Sequence, residues 1–291
     1  MSSIPELADP APTGKPLLRV ENLRVSFGRG QFKVDAVKGV SFTMGREKLA
    51  IVGESGSGKS TVGRTILQLN PAAATVSAER LQFEDIDLLN AGPANMRRIR
   101  GRRISMILQD PKYSLNPVMK VGEQIAEAYR THHKVGHKTA RERAMVMLDS
   151  VRIRQPERVY GLFPHQVSGG MGQRIMIAMM LIPQPDLIIA DEPTSALDVT
   201  VRLQVLAILD DLVARRGIGL IFISHDLNLV RTFCDRVLIM YAGRVVESVR
   251  ASELENVQHP YSRGLLEALP RLDARRQRLP VLQRDPSWAL T

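Results

Sequence analysis

Residues 49–61 read Leu49-Ala-Ile-Val-Gly53-Glu54-Ser55-Gly56-Ser57-Gly58-Lys59-Ser60-Thr61. Four apolar residues give way to glycine, and residues 53–60 fit G-x-x-x-x-G-K-[ST], a phosphate-binding loop. A buried strand delivers the chain to a turn, where glycines lower the steric cost of bringing backbone N–H groups against phosphate oxygens. A helix follows, with its partly positive N-terminus toward the anion. In such a loop Lys59 reaches the β- and γ-phosphates, and the Ser60 hydroxyl is a ligand for Mg²⁺. A Gly/Ser loop matching by accident is the plainer alternative. The apolar run before it and the helical spacing of Val62, Ile66, Leu67 and Leu69 after it argue against that. The ligand class is a nucleoside triphosphate.

A second signal is Leu187-Ile-Ile-Ala-Asp191-Glu192. A carboxylate at the end of a buried strand is costly unless it meets a cation, which points to Mg²⁺. The pair can divide the work: Asp191 holds Mg²⁺ through water, and Glu192 orients or deprotonates the attacking water. An ordinary acidic turn is the alternative for this pair taken alone.

A third signal is Val167-Ser168-Gly169-Gly170-Met171-Gly172-Gln173. Ser168 is a good N-cap, and the glycines permit close approach of a ligand to the backbone. This is a second anion-binding helix start, but no lysine follows it. Two half-sites in one chain suggest a head-to-tail pair of subunits with nucleotides at their interface. A plain Gly-rich helix start is the alternative.

The elements that must carry these residues alternate between strand and helix. Strands are expected at 17–27, 34–44, 104–108, 187–190 and 219–223, with a short strand and turn at 81–89. The helix after the phosphate loop should end near Asn70-Pro71. Helical spacing recurs at 121–129, 140–151, 168–181, 199–215 and 226–233, and a hairpin is expected around Ala242-Gly243. Short helical pieces follow Ser252. This pattern argues a doubly wound, mostly parallel sheet with an inserted helical subdomain. Met176, Met179 and Met180 fall at helical spacing and read as core packing.

Composition sets the outer limits. The 291 residues are 44% hydrophobic and 24% charged, ordinary values for a globular protein. No apolar run approaches the ~18–20 residues that cross a bilayer. Residues 1–16 carry four prolines and no basic-then-apolar export signal, so a disordered leader is expected. One cysteine, Cys234, excludes an internal disulfide and a cysteine metal cage. The net charge of +10 raises nucleic acid as a partner. The arginines are spread, however, and the densest cluster (Arg97, Arg98, Arg100, Arg102, Arg103) has no interleaved aromatics for stacking on bases. A solvated face, or one near anionic lipid, fits better.

Residues 53–60, Gln109, Ser168 to Gln173, Leu187 to Glu192, Ser195-Ala-Leu-Asp198 and His225 occur in one order and spacing. In these the chain resembles the ATP-binding subunit of an ABC transporter over roughly residues 17–246. The resemblance implies a P-loop NTPase (RecA-like) core with an N-terminal antiparallel β subdomain and an inserted α-helical subdomain at about 112–182. The ATPase domain would run over 17–250, with an extension at 251–291. It also implies ATP and Mg²⁺ as ligands. Phe27 would lie against adenine, while Gly53, Glu54, Ser55, Gly56, Ser57, Gly58, Lys59, Ser60 and Thr61 form the phosphate cradle. Ser60, Gln109 and Asp191 would serve Mg²⁺, with Gln109 coupling it and the water to the helical subdomain. Glu192 would be the base and His225 the γ-phosphate sensor. Ser168, Gly169 and Gly170 would close on a nucleotide held by the partner, and Asp198 would cross the interface. Val167, Met171 and Gly172 depart from the family's usual leucine, glutamine and arginine.

Asp110-Pro-Lys-Tyr-Ser-Leu-Asn-Pro117, Phe163-Pro-His-Gln166 and His259-Pro-Tyr-Ser-Arg263-Gly-Leu-Leu are similar to the importer group for peptides, nickel and related ligands. That group implies two membrane permease subunits, a second ATPase subunit (a paralogue or this chain itself) and, indirectly, an extracytoplasmic solute-binding protein. No nucleic acid is involved, and the chain would sit peripherally on the cytoplasmic face of the membrane. Residues 112–129 would dock the membrane subunit, and the absence of cysteine after Cys234 excludes an iron–sulfur tail. Two rival readings use the same loop. A soluble ATP switch acting on nucleic acid or ribosomes would need a coiled-coil insertion or tandem halves. A kinase or other transferase would leave Ser168, Gln109 and His225 without work.

Overall fold

Strand β1 (Leu18–Phe27) alternates buried and exposed positions and pairs antiparallel with β2 (Val34–Met44) from Leu18↔Met44 to Phe27↔Val34. The computed structural model describes residues 15–28, 30–195, 197–268, 285 and 288, so the expected leader up to residue 14 and most of the extension beyond residue 268 lie outside them. The chain divides into two units, Met1–Ala91 with Ile221–Thr291, and Gly92–Leu220.

In the first unit, β3 (Lys48–Val52) is buried at Leu49, Ala50, Ile51 and Val52, each 1% exposed or less. It leads into the phosphate loop and helix α1 (Lys59–Ile66). That helix stops earlier than its apolar spacing predicts. Leu67 is its C-cap and Gln68 turns left-handed at φ 50°. The Gln68 side-chain amide then donates to the carbonyls of Leu88 and Ala91, and Asn70 donates to the Thr65 hydroxyl. Leu69, expected on the apolar face, is 46% exposed.

Strand β4 (Ala74–Ser77), absent from the sequence reading, pairs with the Arg24–Phe27 end of β1. Strand β5 (Arg80–Phe83) pairs with the other end, and β6 (Ile86–Asp87) completes that sheet. It is antiparallel throughout, as expected of the N-terminal part.

The second unit opens with helix α2 (Pro93–Ile99), which the sequence reading missed, and strand β7 (Ile104–Ile107). Helices α3 (Val121–His132), α4 (His137–Ser150), α5 (Pro156–Tyr160) and α6 (Gly169–Leu181) follow. Met176 is fully buried in α6, whereas Met179 and Met180 are half-buried. Strand β8 (Leu187–Asp191) is buried along its whole length and pairs parallel with β7. Burial on both faces explains its unbroken apolar run. Helix α7 (Val199–Arg216) is capped by the Asp198 carboxylate and closed by Gly217 at φ 60°.

Strand β9 (Gly219–Ser224) carries the chain back into the first unit. Helix α8 (Leu227–Phe233), strands β10 (Arg236–Tyr241) and β11 (Arg244–Arg250), and helix α9 (Pro260–Glu267) finish the described chain. The strand order in this unit's second sheet is β11-β10-β3-β9, with β10 parallel to β3 and antiparallel to β11. Arg236 is buried at the root of β10, and its guanidinium bonds the Glu47 carboxylate at 2.8 Å and the Thr43 carbonyl.

Candidate functional site

The first unit carries the phosphate loop. Gly53 leaves β3 at φ 147°, and a Cβ there would lie 2.1 Å from the Met240 carbonyl oxygen, so only glycine fits. Ser57 is buried, and its carbonyl accepts from Gly243 N–H at 3.1 Å, tying the loop to the β10–β11 turn. Gly58 (φ 99°) precedes α1 and no side chain caps that helix, which suits its first-turn amides to an anion. Lys59 is 6% exposed. Its ammonium donates to the Gly53 and Glu54 carbonyls at 2.8 and 2.7 Å. Ser55 and Gly56 are exposed and Ser60 and Thr61 half-buried.

Two further predicted residues belong to this unit. Phe27 is half-buried at the end of β1, between Val34 of β2 and Ala74 of β4. His225 is exposed directly after β9, the strand adjacent to β3. It is held between Ser224, whose hydroxyl accepts from Asp226 N–H, and Asp226, whose carboxylate caps α8.

The second unit gathers the other predicted residues. Parallel strands β7 and β8 align Ile107 with Ala190, so Gln109 and the Asp191-Glu192 pair leave the same edge. Carboxyl edges of parallel strands are where α/β sheets hold ligands. Asp191 is buried at 6%, Gln109 is exposed, and Glu192 lies left-handed at φ 46° immediately after the strand. That conformation is uncommon for a residue with a Cβ and ends the strand abruptly.

Ser168 caps α6, its hydroxyl accepting from Met171 N–H at 3.3 Å. Ser168 and Gly169 are exposed and Gly170 half-buried. A Cβ on Gly170 would meet Val201 Cγ1 at 2.5 Å, so this glycine lets α6 lie against the first turn of α7. Asp198 begins that same turn, its carboxylate accepting from Val201 N–H at 3.0 Å. Gly172, where the sequence departs from arginine, is buried, and a Cβ there would lie in ordinary contact with Pro111 Cγ at 3.6 Å.

Residues 112–129 form a 3₁₀ turn (Pro111–Tyr113), a loop and the start of α3. Gln124 is buried and staples the loop, accepting from Asn116 N–H at 2.8 Å and donating to the Asn116 and Met119 carbonyls. Val118, between those carbonyls, is 79% exposed. Behind the loop, the Tyr160 hydroxyl donates to Glu123 at 3.0 Å. Burial, with help from that carboxylate, pushes the phenol up to about 12.

The family model described as "ABC transporter" matches residues 37–195, more than half of the chain. The chain belongs to the ABC transporter family. It is thereby an ATP-binding, ATP-hydrolysing chain with the P-loop fold. Among its relatives, the oligopeptide transport ATP-binding protein OppD of Bacillus subtilis is 44% identical over 261 residues, 89% of this chain and 73% of that one. The dipeptide transport ATP-binding protein DppD of the same organism is 46% identical, over 88% and 78%. The glutathione import ATP-binding protein GsiA of Escherichia coli K12 is 45% identical over 89% of this chain, which spans only 43% of that protein. Among solved structures, the dimeric post-hydrolysis state of the ATP-binding cassette MJ0796 with ADP and Pi aligns at TM-score 0.71 and 25% identity, covering 80% of this ABC chain and 98% of that one.

Sequence reasoning missed two residues next to the site. Glu247 on β11 is 8% exposed and accepts from the backbone N–H groups of Gln258 and His259. Tyr261 is fully buried, with its hydroxyl accepting from Glu54 N–H at 3.0 Å. The His259-Pro-Tyr261 run was visible in the sequence, but nothing local in it points to a partner 207 residues away.

Proposed function

We propose that this chain energises the import of peptides or related small ligands, such as nickel or opines, by binding and hydrolysing ATP at an interface with a second ATPase subunit. The names of the relatives support the ligand class. The observation that carries the composite site is the exposed, serine-capped start of α6 at Ser168 and Gly169, which has no lysine of its own. Such a helix start suits the γ-phosphate of a nucleotide whose other wall is a second subunit's phosphate loop.

The roles divide as follows. Phe27 packs against adenine. Residues 53–61 cradle the phosphates, and the Lys59 ammonium exchanges a loop carbonyl for phosphate oxygens. Glu192 takes a proton from, or orients, the attacking water. His225 reads the γ-phosphate, and Asp198 lies at the subunit interface. Ser168 and Gly170 donate to the partner's nucleotide.

Mg²⁺ fits the donors on offer: the Ser60 hydroxyl, the Gln109 amide and the buried Asp191 carboxylate are hard oxygen ligands. They are few, as suits an ion that keeps waters and takes substrate oxygens. No group of three His, Cys, Asp or Glu able to hold a metal occurs among the described residues. When bound, Mg²⁺ neutralises charge developing on the β- and γ-oxygens.

No helix among the described residues is long and apolar enough to cross a membrane. The reading also includes two separate permease subunits, docked at residues 112–129, with the ATPase on the cytoplasmic face and a solute-binding protein outside. The nucleic-acid alternative gains no support from the relatives.

The test is Glu192→Gln. It should bind MgATP, accumulate a dimer on size-exclusion chromatography, and lose at least about a hundredfold in kcat. Undiminished steady-state hydrolysis would remove Glu192 as the base.

A further inference from the structure

The phosphate loop is touched by a residue far along the chain. Tyr261, 0% exposed in α9, accepts from the Glu54 N–H at 3.0 Å. The Gly53 carbonyl, which belongs to the same peptide group, accepts from Lys59 at 2.8 Å. One planar peptide at the mouth of the loop is thus held at both ends. It needs holding, because Gly53 has no Cβ and φ and ψ are soft there.

The platform under Tyr261 is built. Glu247 accepts from Gln258 N–H at 2.6 Å and His259 N–H at 3.3 Å, fixing the approach to α9. His259 Nδ1 accepts from Tyr261 N–H at 3.2 Å, and Pro260 occupies the first helical position. The Tyr261 ring packs on Tyr241, centroids 4.4 Å apart, and Trp288 lies 6.1 Å away. A ring fixed in this way can aim its hydroxyl without losing much entropy.

We infer that Tyr261 is a positioning residue for nucleotide binding: its hydroxyl locks the Gly53–Glu54 peptide so that the loop keeps its anion-accepting shape. This rests on residues 53–60 being the phosphate cradle. Once the Lys59 ammonium turns to a phosphate, the Gly53 carbonyl loses that donor, and Tyr261 still holds the other end of the peptide. Rotation of the peptide would reverse its dipole beside the incoming anion. The C-terminal segment 257–267 is therefore part of the nucleotide site's support.

Tyr261→Phe keeps the ring and removes the acceptor. Steady-state ATPase should show KM for MgATP raised about fivefold, the equivalent of one neutral hydrogen bond, with kcat within about twofold of the parent. Unchanged KM would overturn the inference, as would a parallel fall in kcat and thermal stability with KM unmoved, which is the mark of a merely structural tyrosine. Amide exchange measured by NMR on the unmodified chain without nucleotide stands independently of the variant. The Glu54 amide should exchange at least about tenfold more slowly than that of exposed Gly56, and equal rates would overturn the inference. Lys59→Met separates this inference from the reading beneath it. If Lys59→Met still binds MgATP normally, the phosphate-cradle reading fails. If it loses binding while Tyr261→Phe matches the parent, only the role of Tyr261 falls.

Discussion

Gln173, 1% exposed in α6, donates its side-chain amide to the carbonyl of Pro193, the residue directly after Glu192. The glycine-rich helix start and the acidic turn are therefore joined by one buried hydrogen bond inside the second unit. Replacing Gln173 with Leu keeps most of the volume but leaves the Pro193 carbonyl, itself buried, without this donor. An unmet buried acceptor costs about 1–3 kcal/mol, which urea titration should show as a lower midpoint. The turn that holds Glu192 also loosens. We expect kcat to fall by about ten- to a hundredfold, since small misplacement of a catalytic group has effects of that size.

The same unit predicts a rescue. Gly170→Ala would place a Cβ 2.5 Å from Val201 Cγ1, and a β-branched valine in a helix cannot rotate away easily. Alanine's better helix propensity returns at most about 1 kcal/mol. Overpacking costs about 1–3 kcal/mol, so Gly170→Ala should be net destabilised in chemical denaturation. Adding Val201→Ala removes the obstructing methyl. The double variant should recover more stability than the sum of the two single effects, a coupling that a double-mutant cycle measures directly.

Much of this site was legible because its signals are local. The phosphate loop, the Asp191-Glu192 turn and the Ser168 cap each combine an apolar run or helix start with residues that have few other uses there. Strands β3, β8 and β9 could be read as buried because nothing polar interrupts them. The misses have physical causes. The Ala-Thr-Val-Ser sequence of β4 has little hydrophobic patterning, and it becomes a strand by pairing with the free edge of β1 beyond β5. Helix α1 stops at Ile66 because Gln68 and Asn70 find distant or cross-turn partners, which no spacing rule encodes. Strand β11 runs from the expected hairpin on to Arg250, with the charged Glu247 buried in its middle to receive two backbone N–H groups. Contacts set by tertiary approach, such as Tyr261 on Glu54, leave no local trace.

Acidification should loosen the support beneath the phosphate loop. Burial holds the pKa of His259 below the usual imidazole value, although Glu247 nearby pulls the other way. Its Nδ1 accepts from Tyr261 N–H, which an imidazolium cannot do. With the folded pKa depressed below the unfolded value of about 6.5, the unfolded chain binds more protons in the window between them. The contribution is full above about pH 6.5 and is lost as pH falls through the folded value. Thermal melts from pH 7.5 to 5 should therefore show a stability loss that His259→Asn lacks, since asparagine can cap α9 without titrating. Parallel pH profiles for the two proteins would exclude His259 as the source.

Lys59 tests the nucleotide reading by linkage. Its ammonium bonds two loop carbonyls and the Ser57 hydroxyl in a site 6% exposed, so Lys59→Met removes these hydrogen bonds but also a buried charge. These effects oppose each other, and the variant should remain folded. What it cannot do is neutralise phosphate. In the parent chain, MgATP at a hundred times its Kd should add about 2.7 kcal/mol of stability, because ligand binds only the native state. Lys59→Met at the same nucleotide concentration should gain almost none. Differential scanning fluorimetry across an ATP titration, run in both proteins with Mg²⁺ fixed, reads the difference. An equal rise in the two melting curves would mean that the nucleotide is held somewhere other than residues 53–60.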